Sequence, residues 1–86
     1  MKYLRDEEAI KQFGKRLKEI RRSKKISQQT LALKIGLEQS QVGRIERALI
    51  NTSISHAILL AKGLGVAPSE LFIFPPAKLE GKKSKK

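Results

Sequence analysis

Two short helical patterns lie only three residues apart between Ser27 and Arg47, and this spacing limits what the 86-residue chain can fold into more than any other feature. The first, 28–35, places Leu31, Ala32 and Ile35 on one side, and the second, about 39–47, does the same with Val42 and Ile45. Ser27 supplies a capping oxygen for the first helix, and Gly36 the left-handed conformation that ends it sharply. A linker of Gly36-Leu37-Glu38 is too short to lay the helices antiparallel, so they must cross steeply.

The flanking sequence is helical as well. Ile10, Phe13, Leu17 and Ile20 form the apolar stripe of a helix over about 7–24, capped by Asp6, with Glu7 and Glu8 in its first turn and Arg21 and Arg22 in its last. Asn51-Thr52-Ser53 reads as a loop. Ser53 caps a helix over 54–64 that turns Ile54, Ile58, Ala61 and Leu64 inward and stops at Gly65. Pro68 suits the first position of a last one-turn helix ending at Phe72. No segment alternates as a strand does. The expected fold is all-α: five helices in a single domain, 1–74, followed by a Lys-rich tail, 75–86, that reads as disordered.

Charge narrows the function. The net charge is +11, and residues 15–25 hold seven bases against Glu19 while the tail holds five lysines against Glu80. The rest is close to neutral, a pattern suited to a polyanion, although a solvated helix face and a solubilising tail would look alike. Cysteine is absent, which excludes disulfides and thiolate metal sites. No apolar run approaches the roughly 18 residues of a membrane span, and the acidic N-terminus lacks a secretory core, so a cytoplasmic protein is expected. An enzyme is the class least supported. The single histidine, His56, reads as a surface residue and cannot build a triad or a metal cluster alone. No metal, cofactor or small-molecule substrate is expected.

The outward side chains of the helix at 39–47 are Gln39, Ser40, Gln41, Gly43, Arg44 and Arg47, all but glycine able to bond a base edge or a phosphate. A helix about 13 Å long with such a face fits a DNA major groove, where glutamine matches adenine and arginine matches guanine. Two amphipathic helices can equally be filler in a bundle, and spacing alone does not separate the cases.

The run Ser27-Gln28-Gln29-Thr30-Leu31-Ala32-Leu33-Lys34-Ile35-Gly36-Leu37-Glu38-Gln39-Ser40-Gln41-Val42-Gly43-Arg44-Ile45-Glu46 resembles the helix-turn-helix of the lambda-repressor/Cro-type family, also called the XRE family. The likeness extends in order and without gaps from Phe13-Gly14-Lys15-Arg16-Leu17 to Leu64-Gly65-Val66-Ala67-Pro68-Ser69-Glu70-Leu71-Phe72. It implies five packed helices and a transcriptional regulator that binds double-stranded DNA, usually as a homodimer. By that likeness Gln28 would touch a phosphate and brace Gln39, while Gln39, Ser40, Gln41 and Arg44 would face the bases. Arg21 and Glu46 would form an internal ion pair, and Arg22, Lys24, Lys25, Arg47 and Asn51 would serve phosphates.

Several positions depart from the family pattern. Glu38 replaces the usual Ser or Thr cap, Lys25 stands where glycine is common, Ala48 and Leu49 replace a small polar turn, and Leu33 and Leu59 occupy positions more often charged. Leu59, Leu71, Ile73 and Phe74 form either a dimer seam or plain core. Two other functions stay open: a protein-interaction module of the same fold, antitoxin-like or coactivator-bridging, and a non-specific nucleic-acid binder relying on charge.

Overall fold

A short oxygen-bearing side chain sets the start of three helices: Asp6 accepts from the Ala9 N–H at 3.0 Å, Ser27 from Thr30 at 3.0 Å, and Ser53 from His56 at 3.1 Å. His56 is half-buried rather than a plain surface residue. The structure, a computed structural model, describes residues 5–74. It comprises α1 (Glu7–Ser23), α2 (Gln28–Ile35), α3 (Gln39–Glu46), α4 (Ile54–Leu64) and a 3₁₀ helix (Pro68–Phe72). No strand occurs among the described residues. The expected disordered tail, 75–86, lies outside them.

The fold is all-helical with four α-helices among the described residues, not five. The last element is a single 3₁₀ turn, in which the Glu70 N–H reaches the Ala67 carbonyl at 2.9 Å. Five residues headed by proline close a tight turn more readily than the longer ring of an α-helix.

All four α-helices end alike. An N–H reaches back five residues to a carbonyl: Ile26 to Arg21, Leu37 to Ala32, Leu49 to Arg44 and Val66 to Ala61, at 2.9–3.2 Å. The residue before each of these donors is left-handed. Gly36 and Gly65 take φ 76° and 73°, as expected of glycine, but Lys25 and Ala48 take φ 59° and 62°. The two departures at 25 and 48 are therefore helix stops built without glycine.

The core is shared by every element: Phe13, Leu17 and Ile20 of α1, Leu31 and Ala32 of α2, Val42 and Ile45 of α3, Ala57, Leu60, Ala61 and Leu64 of α4, and Leu71. Two glycines let helices approach closely. A Cβ on Gly14 would stand 2.5 Å from the Ile45 carbonyl oxygen, and one on Gly63 would stand 2.6 Å from Ile35 Cγ2. Arg16 ties α1 to the 3₁₀ helix, its Nε donating to the Glu70 carbonyl at 2.7 Å and Nη2 to Glu70 Oε1 at 3.1 Å.

One helix face differs from expectation. Ile54 and Ile58 do not turn inward; they are 80% and 38% exposed, and Ala57 and Leu60 take the core positions. The stripes 54-58-61-64 and 57-60-61-64 share two members, so periodicity alone cannot choose between them.

Candidate nucleic-acid interface

The crossing of α1 and α3 is fixed by charge as well as by Gly14. Arg21 Nε donates to Glu46 Oε2 at 2.6 Å and Nη2 to Glu46 Oε1 at 3.1 Å, while Nη1 donates to the Ile26 carbonyl at 2.7 Å. The two side chains are only 10% and 3% exposed, so water screens this pair little. One guanidinium thus joins α1, the turn before α2 and the end of α3.

Gln28, in the first turn of α2, extends the network. Its Nε2 donates to Glu46 Oε1 at 2.9 Å, and its Oε1 faces Gln39 Nε2 at 3.5 Å. Gln28 is half-buried, and part of its amide serves the protein's own interior rather than an external phosphate.

On α3, Gln39, Ser40 and Arg44 are exposed, whereas Gln41 is half-buried. Gln41 Oε1 accepts from the Glu38 N–H at 3.0 Å and so caps the helix it belongs to. With one lone pair of its oxygen engaged, Gln41 has its amide N–H groups and one remaining lone pair for other partners. The signal for this was legible, since a Gln three residues after the cap position is half of a capping box. Arg47 and Asn51 are exposed, as are Arg22, Lys24 and Lys25 at the end of α1. Lys15 and Lys18 are also exposed, whereas Arg16 and Arg21 are drawn into internal pairs, so the basic stripe thins to five free cations.

Of the residues expected at a seam, Ile73 is 56% exposed, but Leu71 is closed to a partner. Leu71 is fully buried in the core. Ile73 and Phe74 lie along Gln12, Lys15 and Arg16 of α1. Leu59 is half-buried, about 100° round α4 from Ile58. A different apolar face is open. Ile54 and Phe72, 80% and 54% exposed, border a groove floored by Ile10, Phe13 and Ala57, with Ile58 one turn beyond. The ring of Phe72 packs on Phe13 at 5.2 Å and on Phe74 at 6.3 Å between centroids. Leu33, 75% exposed, belongs to neither surface described. Among the described residues no group of His, Cys, Asp or Glu is arranged to hold a metal, and no helix is long and apolar enough to cross a membrane.

Two short helices joined by the three-residue turn of Gly36, Leu37 and Glu38, the second with an exposed polar face, define the helix-turn-helix class. Residues 17–71 match the helix-turn-helix family designated HTH_3, and the chain belongs to that family. It is similar to the control protein C.BamHI of Bacillus amyloliquefaciens, 36% identical over 72% of this chain and 78% of that protein. It is likewise similar to the restriction-modification controller protein C.AhdI of Aeromonas hydrophila: 44% identity, 73% of this chain and 96% of that one, TM-score 0.72. A hypothetical transcription factor, NHTF, from Neisseria matches at 30% identity over 87% of both chains, TM-score 0.74. The protein is a DNA-binding transcriptional regulator rather than an enzyme.

Proposed function

We propose that the protein is a sequence-specific regulator of the controller type, acting in the cytoplasm on a two-part DNA site as a homodimer. Each copy lays α3 in a major groove. The observation that carries this reading is the exposure of Gln39, Ser40 and Arg44 on a helix held from behind by Arg21, Glu46 and Gln28. Gln39 and Arg44 make the two-point base contacts, each worth about 1–3 kcal/mol of discrimination. Ser40 and the amide N–H of Gln41 add single contacts. Arg22, Lys24, Lys25, Arg47 and Asn51 serve phosphates, with the N-terminus of α2 adding oriented N–H groups.

The homodimer is supported by the open apolar face formed by Ile54, Ile58 and Phe72. Two recognition helices on one side of the duplex place the half-sites about 34 Å apart. A role in restriction-modification control is supported by the likeness to C.AhdI and C.BamHI.

Selection of bound sites from random duplex DNA, repeated at two salt concentrations, tests the reading. A defined two-part sequence should emerge, and alanine at Gln39 and Arg44 should relax it. Equal binding of all duplexes would instead support the charge-only binder, and an unaltered protein partner with no selected site the bridging module.

A further inference from the structure

We propose that Glu38 is a specificity-determining residue: its carboxylate, carried into the major groove at the start of α3, accepts from the N4 amine of a cytosine and rejects the other bases at that pair. This rests on the reading of α3 as the helix that enters the groove.

Glu38 is a charge out of keeping with its surroundings. It is exposed, directly precedes the exposed Gln39 and Ser40, and enters no ion pair among the described residues. The other acid of this helix, Glu46, is buried and neutralised by Arg21. The exposed side chains that follow Glu38, from Gln39 and Ser40 to Arg44 and Arg47, are neutral or cationic. An unpaired carboxylate on such a face opposes phosphates and weakens every duplex unless a donor meets it.

Capping does not demand an acid at this position. Glu38 takes φ −88° and ψ 151° and closes a capping box with Gln41, whose Oε1 accepts from the Glu38 N–H at 3.0 Å. Its carbonyl accepts from the N–H groups of Gln41 and Val42 at 3.0 and 3.3 Å. Serine does the capping of α2 and α4, so a short hydroxyl side chain would serve the backbone of α3 as well. Glutamate adds reach and an end that only accepts. A carboxylate has about four acceptor sites, so the box leaves most of them open.

The edges of the bases decide which one such a group selects. In the major groove thymine presents O4 and guanine presents O6 and N7, acceptors that repel a carboxylate. Adenine offers an amine, but with its N7 acceptor alongside. Cytosine offers its N4 amine with no acceptor of its own beside it, and is the base selected. The N-terminal residues of a recognition helix are those that reach base edges, which places Glu38 at a pair next to the one that Gln39 reads. Glu38 thus acts by exclusion as much as by attraction, weakening each duplex that lacks that cytosine.

The test uses the full chain and a duplex selected from a randomised pool, with a panel carrying single base-pair changes. For the parent, changing one cytosine to thymine should lower affinity about 10-fold. Glu38→Ser, which keeps a capping oxygen, should cut that difference to less than about 2-fold, chiefly by binding the thymine duplex more tightly. Preferences at pairs not adjacent to it should stay within about 2-fold. Should Glu38→Ser melt well below the parent, Glu38→Gln, which keeps the length and removes the charge, decides by the same measurement. A variant that shifts all duplexes by one factor, or that leaves every preference unchanged, overturns the proposal and leaves Glu38 as a cap. In that case a preference flattened by Gln39→Ala would still uphold α3 as the reading helix, whereas no response to either variant would remove that reading too.

Discussion

Arg21 and Glu46 meet through two hydrogen bonds, at 2.6 and 3.1 Å, across the crossing of α1 and α3, and neither side chain is more than 10% exposed. The third donor of Arg21 satisfies the Ile26 carbonyl, so removal of Glu46 leaves a guanidinium anchored in the interior with its charge uncompensated. Glu46→Ala is expected to cost about 3–5 kcal/mol in urea denaturation. A loss under about 1 kcal/mol would place the pair among ordinary surface salt bridges.

Gly14 and Gly43 should respond to alanine in opposite directions. A Cβ on Gly14 meets the backbone oxygens of Ile45 and Glu46 at 2.5 and 2.7 Å, atoms that cannot step aside without moving α3. Gly14→Ala should cost more than about 2 kcal/mol through that overpacking. At Gly43 the nearest atom is Arg47 Nη1 at 3.3 Å, the far end of a flexible side chain. Here the gain in helix propensity should dominate, and Gly43→Ala should add about 0.5–1 kcal/mol. Thermal melts of the two variants compare them directly; shifts of the same sign would refute the contrast.

Ala48 closes α3 at φ 62°, a conformation that costs an L-residue about 1–2 kcal/mol. Part of that relief is lost to the greater freedom of glycine in the unfolded chain. Ala48→Gly should therefore stabilise the domain by about 0.5–1 kcal/mol, visible as a rise of a few degrees in Tm. A lower Tm would mean that the turn after α3 is not left-handed in solution.

Ile54 and Ile58 test the proposed dimer face from outside the buried core cluster. Because Ile54 is 80% exposed, Ile54→Lys should change folding stability by less than about 0.5 kcal/mol. If the proposed homodimer forms through this face, sedimentation should show the parent as a dimer and Ile54→Lys/Ile58→Lys as a folded monomer. A double variant that remains a dimer moves the interface to another surface.

DNA affinity should fall steeply with salt. If a dimer neutralises about eight phosphates, log K against log salt has a slope near −7, measured by titration at several ionic strengths. A slope shallower than about −3 would leave too few phosphate contacts for the cations of α1 and α3.

Much of the architecture is local and therefore legible in the chain. Ser27, Gly36, Ser53 and Gly65 mark helix limits because a capping oxygen or a left-handed residue acts within one turn, and α2 and α4 begin and end where those residues require. Gly36 and its two neighbours likewise dictate a steep crossing before any packing is considered. The pairing of Arg21 with Glu46 was implied by family resemblance, since two charges 25 residues apart carry no local signal of contact.

What the amino-acid sequence determined by itself was thus the run of helical segments, the stops at Gly36 and Gly65, and the polar outer face from Gln39 to Arg44. Tertiary structure alone decided which flank of α4 meets the core. It left Ile54 and Ile58 outside, drew Leu71 in, and turned Gln28 toward Glu46 rather than wholly outward. The reason is physical. Capping and periodicity act between residues a turn apart, but the choice between two overlapping apolar stripes, or between two partners for one amide, depends on which surfaces the other helices bring against them.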